Sequence, residues 1–262
     1  MISNYINFTV NNKKIKIREV SFYEFKNICK NIITNDLNDL NSLFENILTN
    51  VLLTEKINCI EKFYLLIFLR NLIHGNDFSF TYDGIKVNTS LSSFLNDFDF
   101  YQEDIKIEHD NIIYYFNLPN YFFNPSIDKL LADCLLKINY NGKEINLSDN
   151  SVDEKLTILS NLTLPIFDTY NKLKESFDEK QFTFFKNINL NIYDGSLLLF
   201  LKNIYYDDLN NLYNFEYTCV KNLNFGAIDM EKYTYPELKI FLQLLTKEIK
   251  DRQKDNNTQS VE

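Results

Sequence analysis

The chain has 262 residues and a mass of 31.2 kDa, and its 45% hydrophobic and 24% charged residues predict a folded protein of one large or two smaller domains. Its formal net charge is −9 and no run of Lys and Arg is long enough to follow a phosphate backbone, so nucleic acid is a poor partner. No apolar run approaches the roughly 20 residues of a membrane span and the first residues lack a secretory signal, so we expect a cytoplasmic protein without a membrane partner.

The first elements are predicted to be a β-hairpin and a helix. Alternating apolar residues in 6–10 and 15–18 surround a polar turn, which is typical of a hairpin. Ser21 with Glu24 three residues later has the spacing of a capping box, and apolar positions recur at helical spacing as far as residue 33. We therefore expect a first helix that lies on the hairpin.

Two further helices and two further hairpins follow in the first half of the chain. The helices are predicted over residues 36–53 and 58–73, the second of them ending at Gly75 as a C-cap. Residues 78–87 predict a hairpin around the turn Asp83-Gly84, and residues 105–116 predict another with a turn over 108–111.

The second half is predicted to mix helices with a few short strands. A helix is expected from Ser126 to Lys137, followed by a hairpin over 138–147 whose Asn141-Gly142 pair suits a type I′ turn. The remaining expectations are helices over 153–162 and 166–177, a strand within 182–193, helices over 196–205 and 207–213, a strand over 215–220 and a closing helix over 236–251.

These blocks predict an α+β fold in which helices pack with several short antiparallel hairpins. Prolines 119 and 125 interrupt the pattern, so we expect two halves of similar size. The first spans residues 1–122, the second spans 123–253, and residues 254–262 form a polar, frayed tail.

The chain offers little for catalysis or cofactor binding. It has five glycines, no Gly-rich phosphate loop, and two histidines, His74 and His109, so neither a phosphate cradle nor a zinc site is expected. His74 is expected to interact with the carbonyls at a helix end, and His109 to lie solvated in a turn. Four widely spaced cysteines are expected to be buried free thiols; they are Cys29, Cys59, Cys134 and Cys219.

Paired acids are the remaining candidates for chemistry. The pairs Asp97 and Asp99, Glu103 and Asp104, and Asp207 and Asp208 could bind a hard cation or act as acid and base. Neighbouring acids are common at helix starts and turns, and none of these pairs has EF-hand spacing. We expect them to be solvated, and no catalytic residue, cofactor or metal is predicted.

Three stretches carry a resemblance to a known family. A basic strand ends at Arg18 and leads into a helix that contains Glu24. A later apolar helix ends in Leu69-Arg70 and is followed by Gly75 and a β-segment, and residues 114–119 close the pattern at Pro119. This order resembles the baseplate hub assembly proteins of contractile-tailed bacteriophages.

The resemblance is looser in the second half. Residues 196–209 resemble the family's short helices, residues 215–219 resemble its late strand carrying a cysteine, here Cys219, and the helix from Tyr235 resembles its closing segment. The family's C-x-x-C pairs are missing, because residues 81–84 contain no cysteine and Asn222 stands where a partner of Cys219 would fall. The resemblance therefore implies no metal role, and it carries Arg70 and Gly75 over as structural residues.

What the resemblance implies is a non-enzymatic assembly protein whose partners are other hub or tail proteins. It would act in the host cell cytoplasm, either as a transient chaperone or as a subunit retained in the virion, and homo-oligomerisation stays open. Two alternatives remain: another viral structural or adaptor protein, and a hydrolase that uses paired carboxylates.

Overall fold

The computed structural model describes residues 5–10, 13–52, 56–82, 84–90, 103–162, 164–178, 182–184 and 188–259. In the first half the elements run β1 Tyr5–Val10, β2 Lys13–Arg18, α1 Phe22–Asn31, α2 Leu37–Val51, α3 Cys59–His74, β3 Asp77–Tyr82, β4 Ile85–Ser90, β5 Ile105–His109 and β6 Ile112–Phe116. In the second half they run α4 Ile127–Cys134, β7 Leu135–Tyr140, β8 Lys143–Asn146, α5 Val152–Asn161, α6 Ile166–Asp178, β9 Phe182–Phe184, β10 Ile188–Leu190, α7 Ser196–Tyr205, α8 Leu209–Leu223, α9 Ala227–Met230 and α10 Tyr235–Gln259.

The architecture is α+β, as predicted. Strands β1 and β2, β3 and β4, and β9 and β10 form two-stranded antiparallel hairpins, and β5, β6, β7 and β8 form an antiparallel sheet in that order. Asn141 and Gly142 both have positive φ, as the type I′ turn between β7 and β8 requires. Asp110 and Asn111 adopt the same conformation between β5 and β6, so that turn is shorter than residues 108–111.

The predicted helix starts are confirmed by their caps. The Ser21 hydroxyl accepts from the Glu24 backbone N–H, while the Glu24 carboxylate accepts from the Ser21 N–H. Asp36 caps α2, Asn58 and Glu61 form a second capping box at α3, and α3 ends at Gly75, whose φ is +86°. These caps satisfy N–H groups that a helix start leaves without partners.

Helix α3 is the centre of the core. Its buried residues surround the whole helix, which is why the apolar run from Tyr64 to Leu69 lacks an amphipathic pattern. The ring centroids of Phe8 in β1 and Phe68 in α3 lie 5.0 Å apart, so α3 contacts the first hairpin as well. Helices α7 and α10 also pack against α3.

Two segments differ from the prediction. Helix α4 ends at Cys134, and residues 135–137 belong to β7, because Leu135 pairs with Phe116 and extends the sheet beside β6. Residues 215–220, predicted as a strand, lie inside helix α8, which begins after its N-cap Asp208. Leu212 and Cys219 are buried seven residues apart on one side of α8, so helical packing overrides the β-propensity of Phe215 and Tyr217.

One connected hydrophobic core contains residues from both predicted halves, from Phe8 to Leu238. Contacts of α7 with α2, α3 and β3 bring the C-terminal helices against the first half. The boundary at residue 122 stays a prediction. Helix α10 runs through Gln259, so its backbone continues into the segment expected to be a frayed tail. Among the described helices, none has the combined length and apolarity that crossing a bilayer demands.

Candidate interaction surface and binding cleft

Arg18 and Glu24 join three elements at the end of the first hairpin. The Arg18 guanidinium donates to both Glu24 carboxylate oxygens, and its Nε donates to the Asn50 carbonyl at 2.7 Å. Burial raises the pKa of Glu24, but the hydrogen bonds from Arg18 and Ser21 outweigh this effect and leave that pKa lowered. This residue pair therefore holds β2, α1 and α2 together.

Arg70 forms the second structural junction, which we call the Arg70 junction; it comprises Arg70, His74, Ile204, Tyr205 and Tyr235. Arg70 Nε donates to the Ile204 carbonyl at 2.6 Å, and the Tyr205 hydroxyl donates to the carbonyl of Leu66 at 2.7 Å. Both bonds are buried, and both connect α3 to the C-terminal end of α7. Leu69, beside Arg70, is buried in the core.

His74 completes the Arg70 junction as a neutral aromatic ring. Its ring centroid lies 4.8 Å from that of Phe25 and 5.1 Å from that of Tyr235, both in edge-on geometry. Burial, with Arg70 and Lys239 nearby, lowers the pKa of His74 to about 3, so the imidazole is uncharged at neutral pH although Nε2 lies 3.4 Å from an Asp207 oxygen. His74 thus acts by packing, where we expected it to interact with helix-end carbonyls.

The remaining signature residues are also structural. The Pro119 carbonyl accepts from the Cys59 backbone N–H at 2.9 Å, which ties the loop after β6 to the start of α3. Cys219 is buried in α8 where the resemblance implied a strand. All four cysteines are buried free thiols, as predicted. Burial raises the pKa of Cys29 to about 12 and that of Cys219 to about 11. These thiols therefore stay protonated and unreactive at neutral pH.

The described members of the predicted acid pairs have separate local contacts. Asp104 accepts from the Asn117 side chain at 2.9 Å, Asp208 caps α8, and Asp207 lies beside His74. His109 ends β5, with Nε2 at 3.3 Å from an oxygen of Asp110. Asp97 and Asp99 lie outside the described residues. Within the described part of the chain, no three His, Cys, Asp or Glu side chains are grouped to hold a metal ion.

A polar cleft lies where α2 and α3 face α4 and the start of α5. We call it the Lys155 cleft; it has a volume of about 530 Å³ and is lined by Glu45, Lys62, Asn120, Tyr121, Asp133, Ser151 and Lys155, among others. Asp133 is buried and accepts four hydrogen bonds, from the backbone N–H groups of Asn120 and Tyr121 and from the side-chain amides of Asn120 and Asn124. This carboxylate organises the loop that forms one wall.

Two buried lysines line the Lys155 cleft, and they differ in their ion pairing. Lys62 Nζ donates to both Glu45 carboxylate oxygens, at 2.8 and 2.7 Å, and lies 5.2 Å from the centroid of the Tyr121 ring. Lys155 is 2% exposed, yet within the described residues it has neither a hydrogen bond nor an ion pair. Burial lowers the pKa of Lys155, and the charge of Asp133 counteracts this effect.

An exposed aromatic surface lies on α1 and α8, and we call it the tyrosine patch; it comprises Tyr23, Tyr213, Tyr217 and Val220. Lys26 Nζ lies 5.6 Å from the Tyr23 ring centroid and 5.2 Å from that of Tyr213, so one cation lies beside both rings. Lys26 also forms an ion pair with Glu216 of α8 at 2.6 Å. Tyr217 is 65% exposed.

Sequence reasoning missed both surfaces. The helical spacing of Tyr213, Tyr217 and Val220 was available, but the same residues also suited a strand. Lys155 follows the Ser151 and Glu154 capping box by one residue, and nothing in that pattern distinguishes it from a solvated helix lysine. Burial of Lys155 depends on elements that are distant in sequence.

A family model described as T4 bacteriophage base plate protein matches residues 3–192. Because the match covers more than half of the chain, the protein belongs to this family. This agrees with the expected family of phage baseplate proteins, although the match does not reach the helices α7 to α10. Comparison with curated proteins and with solved structures gives no match.

Proposed function

We propose that this base plate protein works in the hub of the phage tail, through protein–protein contacts and without catalysis. Membership of the base plate family is the observation that carries the proposal. We propose hub or other tail proteins of the same phage as partners. The site of action is then the host cytoplasm during assembly, with retention in the virion tail as the alternative to release.

The tyrosine patch is the surface we assign to partner binding. Tyrosine provides large contact area with few rotatable bonds and is enriched at the centres of protein interfaces. Lys26 lies beside two of the rings and ties α1 to α8, so the patch is ordered before any partner arrives. Preorganisation reduces the conformational entropy that binding removes.

Co-elution with base plate components tests this proposal. The protein is mixed with each purified hub and tail protein of the same phage, and complexes are identified by size-exclusion chromatography at micromolar concentration. We expect one of them to co-elute, and the double substitution Tyr213→Ala and Tyr217→Ala to weaken that complex roughly tenfold or more. Tyr140→Ala is the matched control, since Tyr140 is 52% exposed but lies on β7.

The outcomes separate the parts of the proposal. Separate elution from every hub and tail protein contradicts the assembly role. Equal binding by the double variant and the Tyr140→Ala control contradicts the assignment of the tyrosine patch. A mass-spectrometric inventory of purified phage particles then distinguishes a retained subunit, which is present, from a transient chaperone, which is absent.

A further inference from the structure

The Lys155 cleft contains a cation that, within the described residues, has neither a hydrogen bond nor an ion pair. An ammonium group has three N–H donors, and burying it without acceptors is strongly unfavourable. Proteins therefore rarely bury lysine without a partner. Here Lys155 is 2% exposed and lines a cleft of about 530 Å³.

The other charged groups of the cleft are already engaged. Glu45 receives both of its bonds from Lys62, and all four acceptor contacts of Asp133 come from the Asn120 to Asn124 loop. Lys56 forms an exposed ion pair with Asp149 at 2.6 Å. Lys155 is therefore the lining cation whose ammonium, within the described part of the chain, is left for an incoming group.

We infer that the Lys155 cleft binds a carboxylate, presented by an acidic side chain of a protein partner, with Lys155 as the cation that receives it. The Asn120 and Asp133 wall and the start of α5 flank the place where the carboxylate enters. The cleft alone supports binding of a carboxylate. That the carboxylate belongs to a protein partner rests on the proposed function.

The charge of the lining favours a monoanion. The carboxylates of Glu45 and Asp133 face the same cleft, so a group with two negative charges would be repelled more strongly than a group with one. A carboxylate carries a single charge and accepts hydrogen bonds from ammonium, amide and hydroxyl donors. Inorganic phosphate, which is partly dianionic at neutral pH, is the matched probe for this distinction.

The experiment compares the full chain with Lys155→Met and with Lys143→Met, a control at an exposed lysine. Thermal unfolding is measured in acetate, in phosphate and in chloride at equal ionic strength. At an acetate concentration about tenfold above its Kd, we expect the wild-type chain and Lys143→Met to gain roughly 3–5 °C in Tm over chloride. Phosphate should give a smaller gain, and Lys155→Met should gain nothing.

A second measurement checks that the variant is folded and that the carboxylate can be presented by a peptide chain. Without added anion, Lys155→Met should be as stable as the wild-type chain or more stable, because it removes a desolvated charge that has no ion-pair partner within the described residues. A blocked Gly-Glu-Gly peptide should shift the Tm of the wild-type chain, and the Gly-Gln-Gly peptide should not.

Three results would overturn the inference. One is an equal acetate response in wild type and Lys155→Met, and another is a marked loss of stability in Lys155→Met, which would mean that Lys155 already has a partner within the chain. The third is acetate binding without any peptide response, which would remove the protein-borne source. None of these results depends on co-elution with hub proteins, so failure here is distinct from failure of the proposed function.

Discussion

The Arg70 junction and the Lys155 cleft both contain a buried cation, but the two cations differ in their hydrogen-bond acceptors. Arg70 donates to the Ile204 carbonyl in a packed aromatic setting, whereas Lys155 has no acceptor within the described residues and borders an open cleft. A buried cation with a protein acceptor holds elements together. We propose that a buried cation without one binds an external ligand, so the difference separates a structural contact from a proposed binding site.

The comparison also separates the signature residues from the surfaces proposed for binding. Arg18, Glu24, Gly75 and Pro119 lie at the ends of helices or of the hairpin, Arg70 joins α3 to α7, and Leu69 is buried in the core. The tyrosine patch lies partly on α8, which is outside the region matched by the family. The exposed rings of α8 therefore lie outside the matched range, whereas the Lys155 cleft lies inside it.

The largest effect is expected from breaking the Arg70 junction. Arg70→Met keeps the length of the side chain but leaves the buried Ile204 carbonyl without its donor, so we expect a loss of about 3 kcal/mol in unfolding free energy. Urea denaturation measures this loss. Arg252→Met removes an exposed ion pair and should change stability by less than about 0.5 kcal/mol. Equal effects of the two substitutions would contradict the structural role of Arg70.

A smaller loss is expected at the wall of the Lys155 cleft. Asp133→Ala leaves the partly buried N–H groups of Asn120 and Tyr121 without their acceptor, which should destabilise the protein by about 2 kcal/mol. Asp149→Ala is the control, since Asp149 forms an exposed pair with Lys56. Urea denaturation of both variants makes the comparison. An unchanged unfolding midpoint in Asp133→Ala would show that the loop does not depend on this carboxylate.

The smallest expected effect is a pH-dependent change in stability at His74 of the Arg70 junction. The folded-state pKa of His74 is about 3, below the ordinary value of 6.5, so protonation favours the unfolded chain. The contribution of neutral His74 to the unfolding free energy is fully present above pH 6.5 and is lost as pH falls toward 3. At about pH 5 the loss is about 2 kcal/mol.

Substitution of His74 by Phe removes this titration and keeps a ring between Phe25 and Tyr235. The difference in unfolding free energy between about pH 7 and about pH 5 should therefore shrink by about 2 kcal/mol in His74→Phe. His109→Gln, at the partly exposed end of β5, provides the comparison. If wild type and His74→Phe lose stability equally between these pH values, His74 is not a buried neutral group.

Local patterns predicted much of the fold. The capping box of Ser21 and Glu24, the C-cap at Gly75 and the Asn141-Gly142 turn each depend on residues close in sequence, and all three are confirmed. Residues 135–137 and 215–220 were assigned wrongly because both segments have mixed local preferences. Residues 135–137 are a strand because they pair with β6. Residues 215–220 are helical because Leu212 and Cys219 are buried on one side of α8.

The amino-acid sequence by itself determined the α+β class, the capped helix starts and the baseplate family, since these follow from short-range hydrogen bonding and from residue order. Tertiary structure alone decided that His74 is neutral, that Arg70 reaches Ile204 and that Lys155 is buried beside a cleft. The physical reason is that desolvation and pairing of a charge depend on elements far apart in the chain. His74 and Asp207, for example, meet only when α3 packs against the segment between α7 and α8.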